Sequence, residues 1–236
     1  MDDARERGPW QIAKVIGIRP ETARAKTFRF ALAQPSQHLA GQHYVLRLSA
    51  PDGYTAQRSY SVASPPDGSN EIELTIERLD GGEVSMFMHD DVVVSDELEV
   101  RGPIGRWFVW EGQTPALLVG GGSGVVPLMC MLRLARNLGR EDLLHLVVSV
   151  RTPADLYYAG ELAGPETDVV YTRSTPPGSA RAAGHLTADD LAPALRKPDT
   201  AYVCGSSGFA DAASYLLVGL GLPAGQVRVE RFGATG

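Results

Sequence analysis

Cysteine is nearly absent from this chain: Cys130 and Cys204 are the two in 236 residues. They build no disulfide framework, and two thiolates fall short of the four that a plant-type iron-sulfur cluster takes. A reducing cytoplasm is therefore the expected compartment. Histidine is sparse as well. The five present are scattered without zinc-like Cys/His spacing, so no metal site is expected. Positive charge is in deficit, with 22 Lys+Arg against 28 Asp+Glu and a net charge of −6, which speaks against a nucleic-acid binder. Long apolar runs are missing too. None reaches the ~18 residues of a membrane span, and the charged Met1–Arg7 segment has no apolar signal core behind it. Neither a membrane association nor a secretory signal is expected, and a monomer is.

What is present reads as a folded protein. Apolar residues make up 44% and charged residues 21%, ordinary values for a globular chain. The length suits one large domain or two small ones. Up to residue 112 the chain reads as short strands broken by turn residues: Gln11–Ile16, Thr27–Ala31, His43–Leu48, Arg58–Val62, Glu71–Glu77 and Glu97–Arg101. Pro51-Asp52-Gly53 and Pro65-Pro66-Asp67-Gly68 punctuate them, and one helix begins near Gly82-Glu83-Val84-Ser85. This rhythm predicts an antiparallel β-barrel or sandwich. After Gly112-Gln113-Thr114-Pro115 strands alternate with helices. The strands are Ala116–Gly120, Leu143–Val150, Asp168–Tyr171, Ala201–Cys204 and Gln226–Arg231. The helices are Val125–Leu138, a segment near Asp155–Leu162, Thr187–Leu195 and Phe209–Leu220. Thr187-Ala188-Asp189-Asp190 has the form of a capping box with Asp in place of Glu. The alternation predicts a doubly wound α/β domain with a parallel sheet. The expected domains are therefore 1–112 and 113–236. They divide the charge unevenly, with 12 Lys+Arg against 17 Asp+Glu in the first and 10 against 11 in the second.

Three segments carry chemistry. Arg58-Ser59-Tyr60-Ser61 offers an arginine that can grip phosphate bidentately, an aromatic that can stack and a hydroxyl. On its four residues alone it also reads as a polar edge strand. Gly81-Gly82-Glu83-Val84-Ser85 opens a helix with glycines, exposing backbone N–H groups where the helix dipole favours an anion. Gly120-Gly121-Gly122-Ser123-Gly124-Val125-Val126-Pro127 joins a strand to a helix and suits a pyrophosphate, although it is not Gly-x-Gly-x-x-Gly in strict form.

In this order, and followed by Val203-Cys204-Gly205, these motifs resemble the ferredoxin-NADP reductase family, from about Trp10 to Gly233. The resemblance implies an FAD-binding barrel followed by an NAD(P)-binding domain, with the cofactor between them. It implies a hydride passed from NADPH to FAD N5 and electrons sent on to a separate acceptor protein, such as a ferredoxin, an oxygenase or another redox enzyme. FMN in place of FAD and NADH in place of NADPH stay open, as does a flavin-binding or regulatory subunit without independent turnover.

The residues implied follow the motifs. Arg58, Ser59, Tyr60 and Ser61 hold the flavin, with Ser61 at its redox nitrogens. Ile76, Glu77 and Arg78 end the strand beside the ribityl or ribose part, and Gly82, Glu83, Val84 and Ser85 take the pyrophosphate. Gly121, Gly122, Ser123, Gly124 and Pro127 cradle the nicotinamide nucleotide. Arg151, Thr172 and Arg173 stand where the 2′-phosphate of NADP is bound. Cys204 and Gly205 line the hydride-transfer point, and Glu230 and Phe232 approach the flavin ring. Cys130, mid-helix, reads as a core residue. Two departures from the family pattern are Gly184-His185, where relatives have Gly-Arg, and Ser206-Ser207, where they have proline.

Overall fold

The computed structural model describes residues 9–195 and 200–232. The charged Met1–Arg7 segment and Gly233 lie outside the described residues. The chain forms two compact units that part between Val109 and Trp110.

The first unit is built on β1 (Gln11–Thr22), β2 (Ala25–Leu32), β3 (His43–Ser49), β4 (Thr55–Ser61), β5 (Glu71–Glu77) and β6 (Glu97–Ile104), with helix α1 (Glu83–Asp90) between β5 and β6. The strands form an antiparallel sheet in the order β4-β3-β6-β1-β2-β5. Val62 bridges Leu74, and the Ala63 N–H donates to the Glu73 carbonyl at 2.8 Å. These contacts join the two outermost strands and close the sheet into a barrel. Alternation sets what points inward. Phe28, Phe30 and Leu32 of β2 and Ile72, Leu74 and Ile76 of β5 fill the interior, while Arg29 between them is exposed. Val84 and Met88, one turn apart on α1, complete that core. β1 runs six residues past its expected end at Ile16. Register shifts at Val15/Gly17 and Pro20/Thr22 absorb the glycine and proline that would otherwise end a strand.

The second unit carries β7 (Ala116–Gly121), β8 (Leu144–Val150), β9 (Thr167–Tyr171), β10 (Thr200–Gly205) and β11 (Val227–Arg231), with helices α2 (Val125–Leu138), α3 (Ala188–Leu191) and α4 (Ser207–Gly219). All five strands are parallel, in the order β11-β10-β7-β8-β9. Leu117, Val119, Val147 and Val203 pack with Leu191 of α3 and Ala210, Ala213 and Leu217 of α4. Leu118, Leu146 and Val148 alternate to the other face, where α2 lies against β7, β8 and β10. The sheet is thus wound on both faces, and the chain reverses its direction of growth between β7 and β10. Cys130 is fully buried in α2.

The helix expected near Asp155–Leu162 is absent. Two 3-10 turns, Pro153–Asp155 and Ala159–Glu161, stand in its place. Arg133 of α2 is the cause. Its guanidinium lies 5.0 Å from the Tyr158 ring centroid and pairs with Glu161, holding Tyr158 at φ 56°, where no helix continues. α3 is likewise shorter than expected. The capping box forms, with the Thr187 N–H donating to the Asp190 carboxylate at 2.8 Å, but the chain tightens into a 3-10 turn at Ala192–Ala194 around Pro193.

Candidate functional site

In the barrel, β3 and β4 pair with Tyr44 opposite Tyr60 and Leu46 opposite Arg58. Tyr44 and Leu46 face the core, so Arg58 and Tyr60 share the inward-turned face of an outermost strand, while Ser59 and Ser61 share the other. Tyr60 is packed against the core, and burial pushes its phenol above the ordinary range. Ser61 is buried and Ser59 exposed. Arg58 is exposed. Its guanidinium donates to the Gln57 carbonyl at 2.8 Å, and no carboxylate pairs with it among the described residues.

α1 begins beside this strand. Its N-cap, Gly82, supplies no side-chain acceptor, so N–H groups of the first turn are left for a ligand. Ser85 is occupied within the turn. Its hydroxyl accepts the Leu79 N–H at 3.1 Å and donates to the Gly82 carbonyl at 3.0 Å. A Cβ on Gly82 would stand 2.6 Å from that hydroxyl oxygen, so the turn needs glycine there. Val84 is buried, and Glu83 is exposed. Ile76 is buried and accepts a bond from His89 Nε2 at 2.8 Å. Glu77 is half-buried at the end of β5. Arg78 is committed elsewhere, paired with Asp90 at 2.9 Å and Asp80 at 3.2 Å.

In the second unit the glycine turn sits where the sheet reverses, the usual place for a ligand in such a sheet. Gly122 takes φ 55°. Gly124 passes so close to β10 that a Cβ would stand 2.2 Å from the Cys204 carbonyl oxygen. Gly121 and Gly205 both lie against the Phe209 ring, where a Cβ would come within 2.6 Å. Ser123 is half-buried, Pro127 is buried in the first turn of α2, and the N-cap of α2 again supplies no side-chain acceptor. This close, uncapped turn fits a pyrophosphate.

Arg151 and Arg173 leave the ends of β8 and β9 side by side, with the Arg173 N–H donating to the Arg151 carbonyl at 2.9 Å. Both are exposed, and neither side chain has a partner among the described residues. Thr172, half-buried, donates its N–H to Val150. Arg181, on the same side of the sequence loop, is instead held by Asp190 at 2.5 Å.

Cys204 stands opposite Glu230 in the β10–β11 ladder. The thiol has no exposed surface, and burial, helped by Glu230, raises its pKa well above the ordinary thiol value. Glu230 is half-buried, and burial pushes its carboxyl up to about 7. It therefore keeps a proton to near neutrality. Phe232, just past β11, donates its N–H to the Gly205 carbonyl at 2.8 Å.

Two residues at the barrel site escape a sequence reading. His43 lies opposite Ser61 in the ladder. It is half-buried with no hydrogen-bond partner among the described residues, and burial lowers its pKa. Tyr54 is exposed and donates its phenol hydroxyl to Glu83 Oε2 at 2.9 Å. Strand register brings His43 to the site and the β3–β4 hairpin brings Tyr54. Neither is marked in the sequence beyond the turn Pro51-Asp52-Gly53.

Among the described residues no group of three or more His, Cys, Asp or Glu could hold a metal ion. No helix among them is long and apolar enough to cross a membrane.

Comparison with known proteins matches both halves. Residues 13–109 match the family described as oxidoreductase FAD-binding domain, and residues 118–215 the oxidoreductase NAD-binding domain. The chain is 29% identical over 93% of its length to the reductase component of propane 2-monooxygenase from Rhodococcus jostii, covering 62% of that protein. It is 34% identical over 82% of its length to a flavohemoprotein of Pseudomonas putida, covering 50% of it. The chain thus spans about half to three-fifths of the length of these relatives. In fold it is similar to the FAD/NAD-binding domain of nitric oxide dioxygenase from Vibrio cholerae, with a TM-score of 0.80, 20% identity, and 96% and 99% of the two chains covered.

Proposed function

The chain belongs to the ferredoxin-NADP reductase family, binding FAD and a nicotinamide nucleotide, and from that premise we propose that it is an NADPH-dependent flavin oxidoreductase serving a separate acceptor protein. When bound, FAD supplies an acceptor for hydride at N5 and passes the electrons on. The observation that carries the reading is a pair of open helix starts, one in each unit, each suited to a phosphate. Each is an uncapped helix start approached through glycine: α1 beside the unpaired Arg58, and α2 at the reversal of the sheet.

The chain's own residues divide the work. Arg58 and the N–H groups of Gly82–Ser85 hold the flavin pyrophosphate. Tyr60 stacks on the ring, and Ser61 offers a hydroxyl to its redox nitrogens. The Gly121–Gly124 turn and the start of α2 hold the nucleotide pyrophosphate. Arg151 and Arg173, both without carboxylate partners, take the 2′-phosphate and favour NADPH over NADH. Cys204 packs at the hydride-transfer point, and Glu230 carries a proton near neutral pH. Placing donor against acceptor is the protein's main contribution to rate.

The acceptor is a separate redox protein, as the name of the propane 2-monooxygenase relative suggests. Two buried cysteines outside any disulfide suit a reducing cytoplasm, and the protein acts as a monomer away from membranes. One competing reading is a flavin- and nucleotide-binding subunit without turnover of its own. Oxidation of NADPH with ferricyanide as a generic acceptor separates the two. Steady turnover is expected. A flavin-loaded chain that turns over neither NADPH nor NADH would establish the competing reading.

A further inference from the structure

β4 does more than carry Arg58 and Tyr60. Along one face of the strand, positions 60, 58 and 56 succeed one another two residues apart, and Tyr54 continues the same alternation into the hairpin. The hairpin holds it there, with the Ala50 N–H donating to the Tyr54 carbonyl at 2.8 Å. Tyr54 is the aromatic at the far end of this row. Tyr54 is 56% exposed, yet its hydroxyl is anchored, donating to Glu83 in the first turn of α1 at 2.9 Å. Arg58 is near enough to lower the Tyr54 pKa, against the raising effect of Glu83. Tyr54, Arg58 and the open start of α1 thus surround one stretch of surface, and Ala56 between them has only a methyl group.

This row has a direction. A dinucleotide with its flavin ring on Tyr60 and its diphosphate on Arg58 and α1 has its remaining half beyond Arg58, away from Tyr60. A strand rises about 3.3 Å per residue, so Tyr54 stands about 13 Å of strand past Arg58, on the side where the adenosine lies. We propose, building on the flavoprotein reading above, that Tyr54 is the stacking platform for the adenine of FAD and that Glu83, its anchor, faces the adenosine ribose. An exposed aromatic ring tethered by its polar end offers a purine a flat surface at little cost in side-chain freedom. The carboxylate of Glu83 is ill suited to a diphosphate and well suited to ribose hydroxyls, which carboxylates bind in other nucleotide sites. Tyr54 thereby makes the barrel select FAD over FMN, which ends at its single phosphate.

The test is flavin binding to the full-length apoprotein, titrated separately with FAD and FMN by quenching of flavin fluorescence. Wild type is expected to bind FAD more tightly than FMN. Tyr54→Ala is expected to raise the Kd for FAD about tenfold, within the range of base–aromatic stacking, and to leave the Kd for FMN unchanged. Tyr54→Phe keeps the ring and is expected to stay within about threefold of wild type for FAD. Unchanged FMN binding shows that the site is still folded. Equal loss of FAD and FMN in Tyr54→Ala, or no loss of either, overturns the adenine assignment and leaves the flavoprotein reading standing. Wild type that binds neither flavin overturns both.

Discussion

Arg58 and Arg78 sit in the same barrel with the same charge and different company. Arg78 has two carboxylates at hydrogen-bonding distance, whereas Arg58 has a single backbone carbonyl. A charge-assisted bond to phosphate is worth about 1.5–3 kcal/mol, while an exposed ion pair is worth about 0–1 kcal/mol. Arg58→Ala is therefore expected to weaken flavin binding at least tenfold, and Arg78→Ala to leave it nearly unchanged, as read by flavin retained after gel filtration and by titration. The same contrast applies to the nucleotide. Arg173→Ala is expected to raise KM for NADPH far more than for NADH with little effect on kcat, because the contact is remote from the reacting atoms. Arg181→Ala, with its side chain already held by Asp190, is expected to spare that selectivity. Equal effects of Arg173→Ala on the two nucleotides would remove the 2′-phosphate assignment. Arg58-Ser59-Tyr60-Ser61 stands out in the sequence by residue type alone. The partners that occupy Arg78 and Arg181 do not, because Asp90 and Asp190 meet them only after folding.

At the scale of elements, the sequence marked strands and glycine turns well and tertiary overrides poorly. Glu71–Glu77 and Val125–Leu138 appear with their expected bounds, since alternation and helical spacing are local signals. The helix near Asp155–Leu162 failed because Arg133 of another element fixes Tyr158 out of the helical region. Ser95 shows a local cost of a similar kind. It holds φ 88° in a tight turn where the Asp96 N–H donates to the Val93 carbonyl at 3.2 Å, a position that favours glycine. Ser95→Gly is expected to stabilise the protein by about 1 kcal/mol, seen as a higher denaturant midpoint with no change in flavin affinity. A lower midpoint would show that Ser95 is held by something other than strain.

Three histidines of the barrel supply a pH dependence. Burial lowers the pKa of His38, His43 and His89 below the ordinary 6.5. His38 is held in the fold, its Nε2 donating to the Ser64 carbonyl at 3.1 Å and its Nδ1 bonded to the Ser36 hydroxyl at 2.9 Å. The unfolded chain takes up protons first as the pH falls, so stability is expected to decline from about 6.5 downward through the lowered folded values. Glu230 acts in the opposite sense. Its folded pKa is raised from 4.5 to about 7, so its contribution is lost as pH rises across that window. Denaturation of wild type, His38→Gln and Glu230→Gln over this range separates them. His38→Gln should flatten the acid limb, and Glu230→Gln should remove the loss on rising pH. Unaltered pH profiles in both variants would contradict these assignments.

For the whole molecule, the order of motifs carried more than any one of them. An antiparallel barrel, then a parallel sheet with a glycine turn at its reversal, is legible from 236 residues because each half repeats a local rhythm. The hydrogen bond from Tyr54 to Glu83, the pairing of His43 with Ser61 and the covering of Cys204 depend on register and packing, which no local pattern encodes. The central claim is that one chain binds a flavin and a nicotinamide nucleotide and moves a hydride between them. The most direct measurement is the visible spectrum of the purified protein, before and after NADPH is added without oxygen. Yellow protein is expected, with one flavin per chain, whose long-wavelength absorption band bleaches within the time of mixing. Protein that is colourless and takes up no added FAD, or yellow protein whose band neither NADPH nor NADH bleaches, would contradict the account.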